Sequence, residues 1–186
     1  MAELKDYSGP FNPDIKYEEF SKETLLGMLE VFSKLYLLMD GLWHTGVAQQ
    51  YGEEVAWKIE DDVWVKLASY EPKEVARVLN VQGDDVASLM KINQWFAGFW
   101  HTLYPHRIEL KDKNHSVLTC FNCPQLQYFE RMGDEAGIIQ SCHVVECKVW
   151  EMYAHFINPK MQSIPLKLPP RKSPDEIACQ FEFKIE

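Results

Sequence analysis

From Leu25 to Val47 the apolar residues recur every three or four positions, with Leu25, Met28, Phe32, Leu35, Met39 and Leu42 marking the run. That spacing lines them up on one face of a long amphipathic α-helix, the strongest constraint the sequence places on its fold. The helix is expected to run from about Glu18 to Gly52, where glycine suits the left-handed conformation just past a helix end. Glu53 and Glu54 then fit the first turn of a second helix, at the positive end of its dipole, and this helix would bury Val55, Ile59, Val63 and Leu67. Glu60, Asp61 and Asp62 on it are read as a solvated face, because consecutive helical residues point in different directions. Pro72 opens a third helix to about Asn80, and Asp84 or Asp85 caps a fourth that would bury Val86, Leu89, Met90, Phe96 and Trp100.

After Pro105 the period changes. HRIELKDKNHSVLTCF alternates apolar and polar residues on either side of DKNH, which predicts a β-hairpin turning near Asp112 to Asn114. A short helix is expected after Pro124, breaks at Gly133 and Gly137, and a further helix from Cys142 to Asn158, ended by Pro159. The tail reads as two strands around a Pro-rich loop, with its prolines at edge or loop positions because proline cannot donate to a sheet ladder. The fold class is therefore α+β: N-terminal helices packed on a small antiparallel sheet formed by the C-terminal half. Residues 1–186 are read as a single domain, with an irregular arm over 1–17, a helical lobe over 18–103 and a hairpin-helix-hairpin lobe over 104–186 that carries every cysteine.

The 186 residues are 46% hydrophobic and 25% charged, enough to bury one substantial core. A formal net charge of −9 gives the wrong sign for wrapping a polyanion, so nucleic acid is excluded as a partner. The N-terminus has acids and prolines where a signal peptide needs a basic start and an apolar core, and no apolar run approaches the ~20 residues of a membrane span. A cytoplasmic protein without a membrane partner is the expectation. No nucleophile elbow, phosphate-cradling glycine loop, dinucleotide fingerprint or His-Glu-x-x-His helix is present.

All five cysteines lie between Cys120 and Cys179. Their odd number and the expected reducing compartment point away from disulfides and toward metal, redox or buried thiols. Cys120 and Cys123 form C-x-x-C at a strand end, a spacing that lets two sulfurs face one tetrahedral ion at ~2.3 Å. Cys142, His143 and Cys147 form a second group, with Cys142 in the first turn of its expected helix, where the dipole favours thiolate. Cys179 sits on the last strand. Free cysteine is also among the most buried residue types, so some or all of these thiols can be inert. Trp43, His44, Trp100 and His101 are candidates for an apolar ligand pocket, although tryptophans at helical spacing more often belong to a core or subunit interface.

Three stretches carry a resemblance. MDGLWHTGVAQQYGEEVAWKIEDDVW resembles the helical segment of an uncharacterised family of small prokaryotic cytosolic proteins, and NCP at Cys123, Cys142, INPKM, LPP and ACQFEF resemble that family's C-terminal half. The family is similar to the L-2-amino-thiazoline-4-carboxylate hydrolase group and, more remotely, to the vinyl-4-reductase domain, an α+β small-molecule-binding module. The resemblance implies a metal or ligand site at Cys123, Cys142 and Cys179, with Cys120 and Cys147 as additions. His44 stands where that family has a large apolar residue.

These readings converge on a metal-binding protein, with zinc as the ion and an iron–sulfur cluster as the lesser choice, held by Cys123, Cys142 and Cys179 with His143, Cys120 or Cys147 completing the shell. Its wider role would be binding or sensing a small molecule. The alternatives are a hydrolase of a small cyclic amide-like or thiazoline substrate, attacking through a metal-bound water or Cys142, and a homodimeric interaction module in which Trp-rich helices meet and the cysteines are inert.

Overall fold

The computed structural model describes residues 3–186; Met1 and Ala2 lie outside the described residues, so the arm expected over 1–17 is seen from Glu3 onward. Leu4 bridges Phe20, and a 3-10 turn over Tyr17–Glu19 leads into the first helix. Helix α1 spans Lys22–Tyr51, capped by Ser21, whose hydroxyl accepts from the Thr24 N–H at 3.2 Å. It ends at Gly52, which takes φ 91°, a conformation that L-residues rarely adopt. Helix α2, Glu53–Leu67, starts on the next residue and folds back along α1. Helix α3, Glu71–Leu79, carries Pro72 in its first turn and closes on Asn80 in the left-handed region. Helix α4, Val86–Asn93, is capped by Asp85, which accepts from the Ser88 N–H at 2.9 Å.

The α+β class holds. Strands β1 (His106–Asp112) and β2 (His115–Cys120) form the expected hairpin, and β3 (Gln162–Lys167) and β4 (Cys179–Lys184) complete a four-stranded antiparallel sheet in the order β1-β2-β4-β3. Pro165 therefore sits on an edge strand, as its missing N–H requires. Cys120 and Cys179 stand opposite each other where β2 meets β4. One core takes side chains from both halves: Leu89, Ile92 and Phe96 meet Trp150, Phe181 and Phe183.

Four expectations need correction. The fourth helix stops at Asn93, and a 3-10 turn over Ala97–Phe99 carries the chain onward, so Phe96 is buried from a turn and Trp100 lies past it. The helix expected to begin at Cys142 begins earlier. After α5 (Pro124–Met132) ends at Gly133 with φ 67°, Asp134 caps a run comprising α6 (Glu135–Ile138), a π-helical segment (Ile139–Val145) and α7 (Glu146–Ile157) without a break. Gly137 does not interrupt it; a Cβ there would stand 2.7 Å from the Phe129 ring, so this glycine allows α5 and the new helix to approach. Cys142 is thus mid-helix, in a wide turn, rather than at a dipole terminus.

The third correction concerns α2: Val55, Ile59 and Val63 are exposed, whereas Ala56 and Glu60 are buried. The fourth is its consequence, that Glu60 belongs to no solvated face, being 3% exposed. Helix α1 is inverted in the same way. Its only fully buried residue is Ser33, whose hydroxyl donates to the Ala97 carbonyl, while Phe32, Leu35, Met39 and Leu42 are more than half exposed.

Candidate functional site

Between the α1–α2 hairpin and α7 lies a cavity of about 770 Å³. Its α1–α2 wall presents Asp40, His44, Trp57, Glu60 and Trp64. Asp40 accepts from the indole N–H groups of both Trp43 and Trp64 at 3.1 Å, which ties the two helices together and satisfies one carboxyl oxygen. His44 Nδ1 contacts Glu60 Oε2, and its Nε2 is 3.4 Å from Glu53 Oε2. Burial pushes the Glu60 carboxyl up to about 8, and the neighbouring acids Asp40 and Glu53 add to the effect.

The opposite wall comes from α7 and the turn at Ala97–Phe99. Glu146, Val149, Trp150 and Tyr153 present one helix face, at the i, i+3, i+4, i+7 spacing. Tyr153 donates to Glu71 Oε2 at 2.6 Å, and the other oxygen of Glu71 accepts from the Ala97 N–H at 3.0 Å, so that buried acid is fully engaged. Glu146 differs. It is enclosed by protein, which raises its carboxyl to about 7, and the accessible surface it keeps faces the cavity. The Trp150 indole lies close enough to favour its ionised form, yet the buried Trp150 Nε1 closes no hydrogen bond.

The sequence-nominated thiols are brought together only in part. Cys120, Cys123, Cys142 and Cys179 reach the cavity wall, and Cys147 does not. Each has a local occupation. Cys123 Sγ caps α5 by accepting from the Leu126 N–H at 3.4 Å, Cys120 donates to the Asn122 carbonyl at 3.0 Å, and Cys147 donates to the Cys142 carbonyl at 3.5 Å. His143 points away from them, with Nε2 2.5 Å from the Pro169 carbonyl. Among the described residues no group of three or more His, Cys, Asp or Glu side chains is arranged to hold a metal ion. Cys120 contacts Cys179 where β2 meets β4, and Cys123 and Cys142 face the same cavity, without a complete ligand set for zinc or an iron–sulfur cluster among the described residues.

Electrostatics here disfavour thiolate. Burial and the nearby Glu146 push the Cys142 thiol up to about 12, and Cys147 is raised to about 11 by the same two causes. Cys123 is raised by burial and then by Cys120, and Cys179 by its contact with Cys120 and by burial. At pH 7 a thiol at 12 is ionised to roughly one part in 10⁵. The helix-start dipole expected to activate Cys142 is absent because the helix starts seven residues earlier, at Glu135.

Of the nominated pocket residues, His44 lines the cavity, and Trp43 stands behind it, bonded to Asp40. Trp100 and His101 are carried past the wall by the Ala97–Phe99 turn; His101 is exposed, and Trp100 meets Trp95 edge-on at 6.4 Å. The residues that sequence reasoning missed are Glu60, Glu71, Glu146, Tyr104 and Tyr153. For Glu146 a signal was present: a single acid inside VVECKVW, one turn from both Cys142 and Trp150.

Fold and cavity together define an α+β protein built around an aromatic-walled interior space. The chain belongs to the family of unknown function DUF6125, which matches residues 18–185. No curated protein matches the chain, and no solved structure matches it.

Proposed function

We propose that this protein binds a small organic molecule in the cavity between the α1–α2 hairpin and α7. The observation that carries the reading is the cavity itself: about 770 Å³ falls within the roughly 300–1,000 Å³ of drug-sized ligand sites, and its walls combine aromatic rings with a few polar groups. The test is a titration with N-phenyl-1-naphthylamine, a neutral apolar fluorophore. Saturable one-to-one binding is expected, weakened at least tenfold by Cys142→Phe, which fills part of the wall, with the circular dichroism spectrum unchanged. Unsaturable uptake, or equal binding by wild type and variant, would overturn the reading. Hydrolysis is not assigned, since burial and the nearby Glu146 hold Cys142 as a protonated thiol.

A second reading, homodimerisation, is favoured by the outer face of α1. Nine apolar residues there, between Leu26 and Leu42, are each 41–64% exposed. Met28, Phe32, Leu35, Met39 and Leu42 alternate steps of four and three, the seam of a two-helix coil, while Trp57 and Trp64 turn inward. Such a face leaves bare on the order of 800 Å² of surface per copy, the share each partner gives to a standard interface. A second copy of the chain meets that need by presenting the same seam. Sedimentation equilibrium should return a dimer for the wild type and a monomer for Phe32→Glu; a wild-type monomer at ~100 μM, well above the dissociation constant of such an interface, contradicts the reading.

A further inference from the structure

The lining of the cavity is unbalanced in charge. Six of its residues are Asp or Glu, and none is Lys or Arg. Two of those acids, Asp40 and Glu71, are spoken for by indole, phenol and backbone donors, and Glu60 contacts His44. Glu146 leans on the indole of the buried Trp150 and has no lysine or arginine beside it in the cavity lining. A carboxyl group in an aromatic-lined cavity without a cationic side chain points to a ligand that supplies one.

The rings around Glu146 have a consistent geometry. Phe99 stacks on Tyr104 with centroids 5.4 Å apart and meets Trp150 edge-on at 5.7 Å, and Trp150 meets Tyr153 at 5.7 Å. Burial opposes ionisation of Tyr104 and Tyr153, and the charge of Glu146 adds a smaller push in the same direction. A carboxylate in an aromatic-lined cavity is a combination that attracts an organic cation, through charge and through contact with the rings. An anionic ligand would meet six carboxyl groups and no fixed positive side chain.

We infer that the cavity receives an organic cation, an amine or quaternary ammonium on an apolar body, with its charge directed to Glu146 in a lining that holds six acids and no lysine or arginine. This rests on the reading of the cavity as a ligand site and names the class of ligand. A cation there gives Glu146 the opposite charge that the cavity lining lacks, and the apolar body takes the volume bounded by Val149, Phe96 and Trp64.

Calorimetric titration of the full chain with phenethylamine, 2-phenylethanol and phenylacetate at pH 7.5 compares cation, neutral analogue and anion of one size. The amine is expected to bind at least tenfold more tightly than the alcohol, and phenylacetate more weakly than either. In Glu146→Gln, which keeps the shape of the side chain, the preference for the amine should fall at least fivefold while the affinity for the alcohol stays within twofold. Glu60→Gln, on the far wall, should change the preference less than Glu146→Gln does. Equal binding of amine and alcohol, tighter binding of phenylacetate, or an undiminished preference in a folded Glu146→Gln protein overturns the cation assignment. If the alcohol displaces N-phenyl-1-naphthylamine without any preference for the amine, only that assignment falls. If none of the three displaces it and the fluorophore itself does not saturate, the ligand-site reading falls as well.

Discussion

In the sheet and α7 the apolar residues of the sequence pattern point into the core: Leu118, Phe181 and Phe183 alternate inward from their strands, and Val149 and Tyr153 do so at helical spacing. In the α1–α2 hairpin the pattern is as regular, but Met28, Phe32, Leu35 and Met39 stay exposed, and Asp40, His44 and Glu60 line the cavity with Leu38, Leu42, Trp57 and Trp64. Amphipathic period identifies two faces of a helix and leaves open which one meets the rest of the chain. Where the interior is a packed core, the apolar face wins. Where it is a cavity set with polar groups, the polar face can be drawn inside, and much of the apolar face is left exposed.

The strongest attempt to break this contrast is a matched pair of truncations. Phe183→Ala, at a fully buried site, should lower unfolding free energy by about 3–5 kcal/mol in chemical denaturation, whereas Leu35→Ala, 53% exposed, should change that of the monomer by less than about 1 kcal/mol. Comparable losses would mean that α1 packs within its own chain.

The next effect is in pH. Glu60 and Glu146 titrate at about 8 and about 7 in the folded protein against an ordinary value of 4.5. The folded state therefore holds protons that the unfolded state has already released. Their contribution to stability is fully present below pH 4.5, is lost as pH rises, and levels off above pH 8. Melting temperature should fall between pH 5 and pH 8, by the equivalent of about 2–4 kcal/mol for the two groups together, and Glu60→Gln should flatten the profile. A flat profile would place both carboxyls in water, and one that rises with pH would place them beside a cation.

The smallest effect in stability sharpens the comparison at the thiols. Cys142, raised to about 12, should react with iodoacetamide at pH 7.5 at least a hundredfold more slowly than free cysteine, read by mass spectrometry of the native protein. Fast labelling of Cys142 would return it to the role of nucleophile.

Most of the architecture was legible from local rules. Gly52, Asn80, Asp85, Pro124 and the DKNH turn each fix a boundary through backbone chemistry that needs no tertiary information. The site was less so. Cys142 was placed at a helix start because Gly137 reads as a breaker; its real task, letting the helix approach Phe129, is visible only when the two segments meet. Glu60 read as one of three surface acids because a helical sequence does not say which direction is out. The thiols were found by type, and their convergence on one wall followed from the hairpin and last strand, but their capping and carbonyl contacts depend on distances that spacing does not carry.

The indole N–H resonances locate a ligand directly. In ¹⁵N-tryptophan-labelled protein titrated with phenethylamine, the signals of Trp57, Trp64 and Trp150 should shift together and saturate, with Trp150 moving furthest and the outward-facing Trp95 unmoved. Saturable shifts confined to Trp95, or none at any tryptophan, would contradict a ligand site in the cavity.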